Sequence, residues 1–132
     1  MGGSVHRGSR LRLAFALAAL GLLLLSSTAR GASPTVVLLP TTGIVDDGMA
    51  HYLADGLSTA EADGAAAVVV ELDTPGGSLF STHDIVESFL SAKIPIIVWV
   101  APSGGFAASA GTFITLSSNI ALMAPGTRIG AA

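Results

Sequence analysis

An α/β fold built on a parallel sheet is what the sequence predicts, on three observations. Apolar, β-branched runs at 35–39, 66–72, 96–100 and 120–123 alternate with stretches of helical periodicity. The 66–72 run is almost wholly apolar, as strands buried on both faces of a helix-covered parallel sheet are. The spacing between runs is that of βαβ units, for which right-handed crossovers are expected.

The chain opens with a leader. Residues 1–12 are polar and positive, 13–25 are an uninterrupted apolar run, and Ser27-Thr28-Ala29 offers small residues where a signal peptidase cuts. As a helix the apolar run would reach roughly 20 Å, short of a hydrocarbon core of about 30 Å. A cleaved signal peptide over 1–29 is therefore expected, with an uncleaved anchor as the alternative. Either places residues 30–132 outside the cytoplasm.

In the remainder, 35–39 reads as a buried strand ended by Pro40, with 43–45 extending it after a bend. Asp46 and Asp47 suit a helix N-terminus, and Met49, Ala50, Leu53, Leu57 and Ala60 recur at helical spacing until Asp63-Gly64. After the 66–72 strand, a helix starting between Ser78 and Thr82 carries Ile85, Val86, Phe89 and Leu90 inward, and Lys93 and Pro95 end it. Residues 96–100 form the third strand, 107–117 the third helix and 120–123 the fourth strand. The sequence then closes on Gly126 to Ala132 with no further helix. The apolar sheet is left only partly covered, as expected of a piece of a longer domain.

Composition narrows the function. With 51% hydrophobic and 11% charged residues the chain lies far from disordered sequences. From Arg30 onward three basic residues face nine acidic ones, a net charge near −6, which argues against a nucleic-acid partner. There is no cysteine, no His/Asp/Glu cluster with metal spacing and no Gly-rich phosphate loop, so no metal or nucleotide cofactor is expected.

Two glycine-marked turns concentrate the chemistry. Leu72-Asp73-Thr74-Pro75-Gly76-Gly77 follows the second strand, and Pro102-Ser103-Gly104-Gly105-Phe106-Ala107-Ala108-Ser109-Ala110-Gly111-Thr112 follows the third. In a parallel sheet both lie at the edge where ligands bind. Glycines such as Gly76, Gly77, Gly104 and Gly105 let bare backbone approach a substrate. Ser109, flanked by alanines and Gly111 at a helix start, has an open hydroxyl suited to nucleophilic attack; alternatively it is an N-cap packed among alanines. Ser103 is the rival hydroxyl, more suited to bonding its own turn.

These two motifs, behind a signal-like leader, resemble the membrane-bound serine proteases of the ClpP class known as the NfeD family, or stomatin-operon partner proteases. The resemblance spans 35–132. It implies a ClpP/crotonase-like fold and an endopeptidase with a Ser-Lys dyad that cleaves apolar segments of stomatin-like membrane proteins. On it the nucleophile falls on Ser109 and the oxyanion donors on the backbone N–H groups of Gly77 and Ala110, with Gly76, Gly104 and Gly105 along the substrate.

The base is the departure. The family's lysine follows the serine by some forty residues, whereas the single lysine here, Lys93, precedes the third strand and so lies at the opposite sheet edge, on the order of 20 Å away. Arg128 is on the correct edge but stays protonated. His51 sits near the same edge, His83 and Asp84 open the second helix, and Asp73 ends the second strand; each suits a surface, capping or turn role. A serine endopeptidase with its base beyond Ala132, inactive as these residues alone, is the expected function. The alternative is a noncatalytic peptide-binding or assembly module. An acyl-CoA enzyme of the crotonase group fits poorly with an exported leader. The incompletely covered sheet predicts self-association.

Overall fold

The computed structural model describes residues 33–132; the expected leader over 1–29 lies outside the described residues. Along the chain run β1 (Val36–Thr42), α1 (Asp47–Ala62), β2 (Ala67–Asp73), α2 (Leu79–Ser91), β3 (Ile96–Val100), β4 (Phe106–Ala108), α3 (Ala110–Leu116), β5 (Ile120–Met123) and β6 (Arg128–Gly130). β1, β2, β3 and β5 pair in that order as a parallel sheet, and β4 and β6 pair in parallel separately. Among the described residues no helix is long and apolar enough to cross a membrane.

Because the strand order always advances in one direction, right-handed crossovers bring every helix to the same face. The burial pattern agrees. Val68, Val70 and Leu72 of β2 and Ile96, Val98 and Val100 of β3 pack with Leu53, Leu57, Ile85, Phe89 and Ile114 of the helices in one core. The expectation that β2 is buried on both faces therefore holds for one face. On the other, Ala67, Val69, Glu71 and Asp73 are half-buried, and Val36, Leu38, Ile120 and Leu122 of the neighbouring strands are exposed.

Local chemistry sets the boundaries. The Asp46 carboxylate accepts the Met49 N–H at 2.9 Å and starts α1, whose buried residues are Met49, Ala50, Leu53, Leu57 and Ala60, as the periodicity predicted. Gly64, at φ +70°, turns the chain away beyond the C-cap Asp63. Ser78 caps α2 by accepting the Ser81 N–H, and the Ser81 hydroxyl donates to Asp47 at 2.8 Å, tying the starts of α1 and α2 together.

Three further expectations are corrected. β1 runs through Pro40 instead of ending there. Thr35 O and Gly43 N bond to β2, so by the two-residue period Pro40 turns its missing N–H outward on an edge strand, where proline is tolerated. The expected helix over 107–117 begins only at Ala110, because Phe106–Ala108 is drawn into pairing with β6 and Thr74. Leu90, expected inward on α2, is 71% exposed, while Phe89 is 5% exposed.

This last difference is measurable. Phe89→Ala is expected to lower unfolding stability in urea by about 3–5 kcal/mol, and Leu90→Ala to change it by less than about 0.5 kcal/mol.

Candidate active site

The site forms where the turns after β2 and β3 meet. Thr74, fully buried just past β2, donates its N–H to Phe106 O at 2.8 Å and accepts the Ala108 N–H at 3.0 Å, so the first turn runs as a strand beside β4. The Thr74 hydroxyl oxygen accepts the Gly76 N–H at 3.1 Å and holds the bend at Pro75. Asp73, which ends β2, accepts the Phe106 N–H on its carboxylate at 3.1 Å and joins the same two turns.

Gly76 and Gly77 have no room for side chains. A β-carbon on Gly76, at φ +102°, would stand 2.8 Å from Ser109 Cβ and 3.3 Å from Ala110 N. One on Gly77 would stand 2.1 Å from the Val45 carbonyl oxygen. Val45 donates its N–H to Gly76 O at 3.0 Å and accepts the Ser78 N–H at 2.8 Å, which bypasses the N–H of Gly77.

Ser109 has φ 51° and ψ −113°, a conformation that costs a side-chain-bearing residue on the order of 1–3 kcal/mol. It stands at the N-cap of α3, yet its side chain makes no capping bond and the residue is exposed. The packed N-cap alternative is thus not what the geometry presents. Its N–H donates to Gly130 O at 2.8 Å, and the Thr112 hydroxyl lies 2.9 Å from that oxygen and 3.2 Å from Ala107 O. Neither the Gly77 nor the Ala110 N–H is among the paired backbone donors of the described residues. An exposed hydroxyl beside unengaged N–H groups can attack a carbonyl and have the resulting oxyanion held. An apolar pocket lined by Phe106, Ala108, Arg128, Ile129, Gly130 and Ala131 adjoins it.

The remaining candidates are placed elsewhere or engaged. Lys93 precedes β3, and its backbone N–H donates to the Glu61 carboxylate at 2.7 Å, whereas Ser109 follows that strand. The His51 ring lies 2.7 Å from the Asp47 carbonyl of its own helix. His83 and Glu87 face each other at 4.0 Å on the solvent side of α2, and the Asp84 carbonyl accepts from Ser88. Gly104 and Gly105 donate their N–H groups to Pro125 O at 3.3 Å and Pro102 O at 2.9 Å, which shapes their own loop beside exposed Ser103. Arg128 lies in β6, its backbone N–H on Gly105 O at 3.2 Å. Among the described residues no group of three His, Cys, Asp or Glu could hold a metal ion.

Thr74 and Thr112 are the residues that sequence reading passed over. Both lie inside the quoted motifs, but their partners are distant in sequence or on the backbone, so no spacing rule points to them.

Comparison with known proteins agrees with this architecture. The NfeD1b N-terminal domain model matches residues 35–132. Membrane-bound protease PH1510 of Pyrococcus horikoshii is 51% identical over 75 residues, 57% of this chain and 17% of that protein. Membrane protein NfeD1b of Bacillus subtilis is 32% identical over 123 residues, 89% of this chain and 28% of that protein. The 1510-N membrane-bound stomatin-specific protease, solved as a serine-to-alanine mutant, superposes with a TM-score of 0.75 at 40% identity, over 76% of this chain and 49% of that one. A lysine-to-alanine mutant of the same protease, in complex with a substrate peptide, gives the same TM-score and identity, over 76% of this chain and 46% of that one. A ClpP1 mutant from Listeria monocytogenes, 22% identical with a TM-score of 0.63 over 71% of this chain and 53% of that one, shares the fold. The chain therefore spans under a third of its curated relatives and about half of the matched structures. With a family match covering every element from β1 to β6, on a parallel α/β fold of the ClpP kind, this chain belongs to the NfeD1b N-terminal domain family.

Proposed function

We propose that this chain carries the nucleophile half of a serine endopeptidase of the NfeD/ClpP class, acting on apolar segments of stomatin-like membrane proteins. The observation that carries the reading is the contact of Gly76 with a backbone-strained, exposed Ser109 whose hydroxyl has no capping role. The relatives support it: a serine and a lysine are the residues replaced in the protease mutants, and one of these holds a substrate peptide.

In this reading the Ser109 hydroxyl attacks the scissile carbonyl as its proton passes to a lysine. The N–H groups of Gly77 and Ala110 hold the oxyanion, contributing about 3–4 kcal/mol per donor. The proton then goes to the leaving amine, and water hydrolyses the acyl-serine ester. The lysine is one outside these 132 residues, since Lys93 starts the wrong end of β3. The signal-like leader supports an extracytoplasmic location for residues 30–132, and the names of the relatives support membrane association. The uncovered apolar face of the sheet supports self-association.

A noncatalytic peptide-binding module is the second reading, favoured by one observation: among the described residues the Ser109 hydroxyl has no lysine or histidine as a hydrogen-bond partner.

In the natural reading frame containing this chain, cleavage of an apolar stomatin-type peptide is expected to be abolished by Ser109→Ala, with peptide affinity retained. Equal cleavage by both forms, followed by mass spectrometry, would sink the protease reading as assigned. Gly76→Ala, which places a methyl against Ser109 Cβ, is expected to lower kcat/KM at least about 100-fold in the same assay.

A further inference from the structure

Ser109 sits in a backbone conformation that would relax if nothing held it, and what holds it comes from both sides. Its N–H donates to Gly130 O at 2.8 Å, and its carbonyl accepts the Thr112 N–H at 2.9 Å. The Gly130 carbonyl lies at the end of a three-residue strand, β6, so it needs fixing of its own. The Thr112 hydroxyl, 2.9 Å away, meets that same oxygen and also lies 3.2 Å from Ala107 O in β4. One residue thus grips both peptide groups of Ser109: the following one directly, the preceding one through Gly130.

We infer that Thr112 is a positioning residue for the Ser109 hydroxyl, acting through the Gly130 carbonyl; the inference rests on the nucleophile reading given above. Threonine suits the task because its β-branch restricts the side-chain rotation that serine permits more freely. Valine keeps the shape and removes the donor. Gly130 O then retains the Ser109 N–H, so the fold loses little, but the loop carrying β6 is free to shift and the serine's backbone with it. A displacement of about 1 Å at a reacting group lowers turnover on the order of 100-fold.

The test uses the natural full-length protein with Thr112→Val, Thr112→Ala, Thr112→Ser and Ser109→Ala, measuring peptide cleavage and thermal unfolding. Thr112→Val is expected to lower kcat about 10- to 100-fold with KM within about twofold, and to melt within about 4 °C of wild type. Thr112→Ser is expected to restore kcat to within about threefold, since it returns the donor. If Thr112→Val does not fold, Thr112→Ala carries the same expected loss of kcat. Wild-type kcat in the valine or alanine variant, with Ser109→Ala inactive, overturns the positioning role while leaving the nucleophile reading intact. Undiminished cleavage by Ser109→Ala removes that reading, and this inference with it.

Discussion

The backbone of Gly76 lies so close to Ser109 that a β-carbon on residue 76 would stand 2.8 Å from the serine's own. That approach is possible because β2 and β3 are adjacent and parallel, which brings the turns after both strands to one edge. Thr74 then closes the gap by pairing its backbone with Phe106 and Ala108 while its hydroxyl bends the chain at Gly76. Glycine is required here by space and by a φ of +102°, and Gly77 by the Val45 carbonyl at its back. A side chain at Gly76 would push the first turn away from the second, and one at Gly77 would push it away from Val45.

The same winding that assembles the edge leaves the sheet asymmetric. Strands added always in one direction put α1, α2 and α3 on one face, where the core is. The opposite face presents Val36, Leu38, Trp99, Ile120 and Leu122, and both outer strands have an unpaired edge among the described residues. The core therefore fixes the turns firmly from one side only.

Much of this was legible in the residues. The inward set of α1 and the third strand follow from the apolar pattern, because burial decides them, whereas the fourth strand was legible from its apolar run although all four of its residues are exposed. The two motifs located the meeting point, since each places a pair of glycines a few residues beyond a strand of the sheet. What escaped reading depends on partners distant in sequence. Ala107 and Ala108 have high helix propensity yet form a strand, because pairing with Thr74 and β6 outweighs a preference of a few tenths of a kcal/mol per residue. Pro40 continues β1 because only an edge strand lets its missing N–H face outward. The strain at Ser109, and the roles of Thr74 and Thr112 around it, are backbone geometry and leave no compositional mark.

If the two-turn contact activates one particular hydroxyl, that hydroxyl is the one that reacts. The most direct measurement is the site of covalent attachment of a fluorophosphonate to the natural full-length protein, mapped by peptide mass spectrometry. A single adduct on Ser109, absent from the Ser109→Ala variant, is expected. An adduct on Ser103, or no adduct on a protein that still cleaves peptide, would contradict this expectation.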